Sequence, residues 1–234
     1  KIAATGRMAA TIAHEINNPL EAVLNLLYLL RDHVHTSEAR TYLSTAEIEL
    51  NRVAHIAKQT LGYYREHTSA VCVSLAKLAD HALTVYSPRC SAFNIQIERC
   101  IDSSATIVLR RGEMMQVISN LLANAIYAMG EGGTLSLCVS DVQTPAPGVL
   151  LTIHDNGVGI PQENLDKVFD AFFTTRMTIG TGIGLFVAKQ FIEGHGGKIW
   201  IESSTAPEQH GTKVFVFLPQ HTAYEETLEP APIA

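Results

Sequence analysis

Ile153-His154-Asp155-Asn156-Gly157-Val158-Gly159-Ile160 reads as a strand that runs into a glycine turn. Apolar residues alternate up to Asp155, and Asp-Asn-Gly is favourable turn chemistry. A carboxylate at a strand end, beside glycines that let a flat ring lie close to backbone, accepts a hydrogen bond from an exocyclic amine. Taken alone, the same residues also read as an ordinary tight turn. The sequence on either side decides between the two.

Upstream, Asn120-Leu121-Leu122-Ala123-Asn124 lies on a helix predicted over residues 112–129, ended by Gly130 and the Gly132-Gly133 turn. Asn120 and Asn124 stand one turn apart on one face, where two amides meet phosphate oxygens or a hydrated Mg²⁺. Isolated asparagines in such a pattern are more often plain surface residues. Downstream, Gly180-Thr181-Gly182-Ile183-Gly184-Leu185 opens a helix whose exposed amides and positive dipole end suit a phosphate chain. By itself this glycine pattern is weak. It follows no strand and lacks the lysine of a P-loop, so neither a Rossmann nor a Walker reading fits.

Periodicity fills in the surroundings. Residues 75–86 read as a helix, 93–98 and 105–109 as strands, and 134–142 and 149–155 as two longer strands. Thr144-Pro145-Ala146-Pro147-Gly148 separates the last two as a loop that cannot pair. Residues 182–193 read as a helix, and 198–202 and 212–218 as closing strands. Helices and strands mixed in this order predict an α+β two-layer sandwich over residues 69–220. The Glu- and Pro-containing residues 221–234 read as a solvated tail or a linker.

Residues 1–68 differ in character. Met8, Ile12, Ile16, Leu20, Val23, Leu24 and Leu27 give one buried face of a first helix, which runs to about residue 33. At about 100° per residue, His14 points roughly 200° away from Ile12 and Ile16, into a polar stripe with Arg7, Thr11, Asn18, Glu21 and Asn25. Pro19 removes an amide and crowds the carbonyl of Glu15, which bends the helix beside His14. On this segment alone, a solvated histidine beside an ordinary kink is an equally good reading. Thr36 or Ser37 caps a second helix over residues 38–66, with Tyr42, Ala46, Leu50, Val53, Ala57, Leu61 and Tyr64 on its apolar side. The two helices make an all-α antiparallel hairpin. A lone hairpin leaves half of each seam exposed, so a homodimer with a four-helix bundle is expected.

Composition narrows the function. The 234 residues carry a formal net charge of -6, which argues against a general nucleic-acid binder. No apolar run approaches the roughly 18 residues of a membrane span, so no membrane contact is expected within this stretch. Cys72, Cys90, Cys100 and Cys138 are scattered, as in a cytoplasmic protein with reduced thiols. The chain opens on Lys1 with helical sequence already in register, which reads as a piece of a longer protein.

In order and spacing, the asparagine, aspartate and glycine stretches resemble the N, G1 and G2 boxes of the GHKL ATP-binding fold. That fold is shared by sensor histidine kinases, DNA gyrase B, MutL and a class of heat-shock chaperones. Lys167-Val168-Phe169-Asp170-Ala171-Phe172-Phe173-Thr174-Thr175-Arg176 resembles the F box of histidine kinases, and His14-Glu15-Ile16-Asn17-Asn18-Pro19-Leu20 their H box. The resemblance covers residues 6–219. It implies a dimerisation and phosphotransfer domain followed by a catalytic domain that binds ATP and Mg²⁺. His14 would take the γ-phosphate and pass it to an aspartate of a response regulator. Glu15 would orient or deprotonate the imidazole. Asn18 would align water for dephosphorylating the regulator. Asn124 would bind Mg²⁺, and Asn120 would support the phosphates. Asp155 would read the adenine amine, with Gly157 and Gly159 giving the ring room. Gly180, Thr181, Gly182 and Gly184 would close on the phosphates, with Phe172 and Phe173 bracing the lid and Phe173 and Thr175 counted in the nucleotide site.

Three positions depart from the usual pattern. Arg110-Arg111-Gly112 replaces an acidic residue ahead of the N box. Tyr127 stands where many members place a base, leaving phosphate neutralisation to Mg²⁺ or Arg176. The stretch from Arg176 to Gly180 is short, so the lid is short. Rival readings are a clamp-type GHKL ATPase, a nucleotide-binding scaffold and an anti-sigma-type serine kinase. None of these accounts for both the H box and the F box.

Overall fold

The computed structural model describes residues 20, 23, 25–31, 34–46, 50, 69–144, 146–175 and 182–220. The chain divides into two compact units, Thr68–Asp170 with Gly184–Ala234, and Lys1–His67 with Ala171–Ile183.

In the latter unit, residues 25–30 and 37–46 are helical. The amide of Ala39 donates to Thr36 Oγ1 at 3.2 Å, so Thr36, one of the two candidate residues, caps the second helix. Tyr28, Leu29 and Tyr42 are each more than 60% exposed, apolar surface that the chain itself leaves uncovered. His14, Glu15, Asn18, Gly180 and Thr181 lie outside the described residues.

The larger unit is built from a five-stranded sheet and helices on one of its faces. In chain order its elements are β1 (Val71–Ser74), α1 (Leu75–Ala92), β2 (Gln96–Asp102), β3 (Thr106–Leu109), α2 (Arg111–Met129), β4 (Thr134–Val142), β5 (Gly148–Asp155), α3 (Gln162–Leu165), α4 (Gly184–Gly194), β6 (Lys198–Ser204) and β7 (Gly211–Pro219). The sheet order is β2-β4-β5-β7-β6, and β1 pairs separately with β3. Only the β2–β4 pairing within the large sheet is parallel; its other neighbours are antiparallel.

Period-two patterning puts Leu135, Leu137 and Val139, Val149, Leu151 and Ile153, and Val214, Val216 and Leu218 on one buried face. Met114, Val117, Ile118, Leu121, Leu122, Ala125 and Ile126 form the buried stripe of α2. α2 packs against α1, α4 and β5, while α4 reaches β6 and β7. This is the expected two-layer sandwich. The opposite face of the sheet is half-exposed, and there Trp200 stacks on Phe215 with ring centroids 4.9 Å apart.

Several boundaries differ from the predicted ones. α1 runs on to Ala92 through Pro88, because Pro88 lies on the exposed side, where water is available to the carbonyl of Thr84. β2 starts at Gln96 instead of residue 93, since Asn94 adopts a φ of 56° and Ile95 N–H bonds the Cys90 carbonyl at 2.9 Å. Phe93 to Ile95 therefore terminates a helix, with asparagine in the left-handed region that it tolerates better than most residues. α4 begins at Gly184, two residues later than predicted. β1 and α3, four residues each, were not predicted.

Candidate functional site

Asp155 ends β5 and is only 4% exposed. The amide of Gly157 donates to its Oδ1 at 2.9 Å, and the backbone N–H of Thr212 also donates to the carboxylate. Burial nevertheless dominates and pushes the carboxyl up to about 6, the two N–H groups pulling the other way. A poorly hydrated acceptor at a strand end is what recognition of an amine requires: any donor that reaches it replaces water the site already lacks.

The turn that follows is pinned on both sides. Val158 N–H bonds the carbonyl of Ala128 at 3.1 Å, near the end of α2. Ile160 N–H bonds Ser203 Oγ on β6 at 2.8 Å. A Cβ on Gly157 would come within 2.6 Å of the Ala128 backbone, and one on Gly159, at φ +74°, within 2.0 Å of the Ser204 carbonyl oxygen. Glycine is thus required at both places by contact with backbone, and at Gly159 by conformation as well. Asn156 points away from the turn, its Oδ1 accepting from Thr134 N–H at 2.8 Å. His210 Nδ1 lies 2.7 Å from the Gly157 carbonyl, which only accepts, so Nδ1 carries the proton.

Asn120 and Asn124 are half-buried on α2. Asn120 Nδ2 donates to the carbonyl of Gly184, the first residue of α4, at 3.1 Å. The structure therefore brings Asn120 to Gly184, with Asn124 one turn further along the same helix. The two helices are also joined at their other ends, where Glu113 bonds the fully buried His195 Nε2 at 3.0 Å and Arg110 at 3.0 Å. The Arg110 that departs from the usual pattern thus serves a helix-to-helix junction.

In the other unit, the F-box and G2-box ends touch each other. Phe172 N–H bonds the Gly182 carbonyl at 3.0 Å, and a Cβ on Gly182 would lie 2.4 Å from the Phe172 carbonyl carbon. Phe172 takes a φ of 67° with its ring 73% exposed, so its backbone rather than its ring holds this junction. Phe173 is half-buried and Thr175 exposed.

Sequence reasoning missed Thr212 and Ser203. Their role depends on which residues face each other across β5, β7 and β6, and the only local signal is the Gly211-Thr212 pair that opens β7.

A mixed sheet backed by helices on one face, with a buried carboxylate feeding a glycine turn and two asparagines on the neighbouring helix, defines the GHKL class of ATP-binding domain. The profile "Histidine kinase-, DNA gyrase B-, and HSP90-like ATPase" matches residues 110–222, and that of the "His Kinase A (phospho-acceptor) domain" matches residues 4–68. The chain is similar to the sensor histidine kinase ZraS of Escherichia coli strain K12, being 31% identical over 94% of this chain and 46% of that protein. Among solved structures, the catalytic domain of the histidine kinase ThkA is 30% identical, with a TM-score of 0.58, over 65% of this chain and 97% of that one. ThkA in complex with the response regulator protein TrrA matches at 27% identity and a TM-score of 0.63, covering 92% of this chain and 62% of that one. The chain belongs to the sensor histidine kinase family. It spans about half the length of the curated relatives it matches. No helix among the described residues is long and apolar enough to cross a membrane.

Proposed function

We propose that this chain is the catalytic core of an ATP-dependent protein histidine autokinase. The observation that carries the reading is Asp155, a buried carboxylate held open at a strand end by two backbone donors, in a chain whose N-terminal part matches a phospho-acceptor domain. Residues 1–68 act as the dimerisation and phosphotransfer domain, 69–220 as the ATP-binding domain, and 221–234 as a tail.

In this reading Asp155 accepts the adenine amine, Gly157 and Gly159 make room for the ring, and Asn120 lies beside the phosphates. Gly180, Thr181, Gly182 and Gly184, with Phe173 and Thr175, belong to the short lid. Among the described residues no group of three or more His, Cys, Asp or Glu is placed to hold a metal ion. The half-buried Asn124 offers an amide oxygen, the hard donor Mg²⁺ prefers, and that fits an ion carried mainly by phosphates and water. Bound there, Mg²⁺ neutralises phosphate charge. An imidazole nitrogen of His14 attacks the γ-phosphorus, an N–P bond forms, the bond to the β-phosphate oxygen breaks, and ADP leaves. Glu15 orients the ring or removes its proton. The phosphoryl group then passes to an aspartate of a response-regulator receiver domain, and Asn18 serves the reverse, phosphatase reaction. A hinge near residues 67–69 brings ATP and His14 together. The bend at Pro19 couples upstream rotation to the exposure of His14.

The site is assigned to the cytoplasm, where ATP and reduced thiols coexist. The exposed apolar residues of the hairpin support a homodimer through a four-helix bundle. Sedimentation velocity is expected to give a dimer down to low micromolar concentration; a monomer at all concentrations contradicts this. The kinase reading is tested with ATP labelled on the γ-phosphate. Protein-bound label, acid-labile and base-stable, is expected with Mg²⁺ and none with EDTA. Free phosphate without protein-bound label would favour the clamp-type ATPase.

A further inference from the structure

Beyond Gly157, the turn after Asp155 is tied to Ala128 on α2 through Val158 and to Ser203 on β6 through Ile160. Ser203 stands opposite Thr212, and Thr212 stands opposite Asp155, so the three share one row across β6, β7 and β5. Its hydroxyl has one hydrogen and two lone pairs to place. The hydrogen goes to the carbonyl of Gly211 at 2.7 Å, since a carbonyl only accepts. The lone pairs then receive the amide of Ile160 at 2.8 Å and the hydroxyl of Thr212, which must be the donor at 2.9 Å. Every valence of the hydroxyl is thus used, and each partner lies on a different part of the Asp155 environment. Ile160 closes the glycine turn, Gly211 opens β7, and the amide of Thr212 is one of the two that hold the carboxylate.

We propose that Ser203 is a positioning residue for nucleotide recognition, fixing both the far end of the glycine turn and the β7 donor that aims Asp155 at the base. The inference rests on the adenine reading of Asp155 and deepens it. Without the hydroxyl, Ile160 N–H loses its partner and the far end of the turn is no longer tied to β6, while the bonds at Gly157 and Val158 hold only its near end. Gly159, already against the Ser204 carbonyl, cannot settle closer to β6. The opening that admits the purine then loses its defined width, while the asparagines on α2 are untouched.

The test uses the whole chain, with ATP and ITP as nucleotides; ITP carries a carbonyl where ATP carries the exocyclic amine. Ser203→Ala is expected to raise KM for ATP about tenfold, the loss typical of one such hydrogen-bond network. The rate at saturating ATP should stay within about twofold, and the preference for ATP over ITP should fall. Ser203→Thr, which keeps the hydroxyl, should restore both. Ser203→Cys is nearly isosteric but a poor acceptor, and should behave as the alanine variant even if that variant folds badly. Unchanged KM and unchanged base preference in both Ala and Cys variants overturn the proposal. Asp155→Asn is measured alongside: if it keeps the ATP preference, the adenine reading fails, and that failure is distinguishable from one confined to Ser203.

Discussion

Asp155→Asn is expected to weaken nucleotide binding by about a hundredfold or more and to make the nucleotide-free protein more stable at neutral pH. Both effects start from the buried carboxylate, through its charge in one case and its acceptor oxygens in the other. The carboxyl is 4% exposed and titrates at about 6, against about 3.9 for an aspartate in the unfolded chain. The folded state therefore binds the extra proton between these values. The stability linked to this group is complete below about pH 4 and is lost as pH rises through 6, by up to about 3 kcal/mol. Asparagine removes the charge and with it that penalty. It also places an NH₂ group where the adenine amine or the Thr212 N–H expects an acceptor, a donor-to-donor clash that should weaken ADP binding by about a hundredfold or more. Calorimetric titration with ADP and a thermal melt at pH 7.5 measure both sides. A variant that still binds with wild-type affinity, or that melts lower without binding, contradicts the assignment. In the wild type, ADP affinity should weaken as pH falls through about 6, where the carboxylate loses its charge.

Gly159→Ala damages the site through backbone geometry alone. Its φ of +74° is costly for any residue with a Cβ, and that Cβ would sit 2.0 Å from the Ser204 carbonyl oxygen, a backbone atom held in the β6–β7 pairing. Strain and overlap together should cost about 2–4 kcal/mol and remove ADP binding. Gly132→Ala separates the two causes: at φ +82° it meets nothing within 4 Å and should lose only the strain part, with nucleotide binding intact. Chemical denaturation of the two variants checks this. Equal losses would mean that close approach to β6 is not what selects glycine.

Much of this was legible because the relevant chemistry is local. The run from Asp155 through Gly159 carries its own turn, Asn120 and Asn124 lie one helical turn apart, and Thr36 caps a helix three residues on. What escaped depends on partners distant in sequence. β1 is four residues whose pairing partner, β3, lies beyond a whole helix, too short a run for period-two alternation to register. His195 resembles any exposed helix-end histidine until the fold carries it to Glu113, 82 residues away. Ser203 and Thr212 matter only through the register of three antiparallel strands, and a one-residue slip would turn each to the opposite face. The apparent strand over residues 93–98 misled because Asn94 spends its first residues ending a helix.

Phosphate location decides the central claim. The chain is incubated with Mg²⁺ and ATP labelled on its γ-phosphate, quenched at alkaline pH, digested, and the labelled peptide sequenced by mass spectrometry, with His14→Gln run in parallel. The account predicts a single phosphoryl group on an imidazole nitrogen of His14, and no label in His14→Gln although that variant still binds ADP. Label retained in His14→Gln, or an acid-stable, base-labile ester on a serine or threonine, would contradict it.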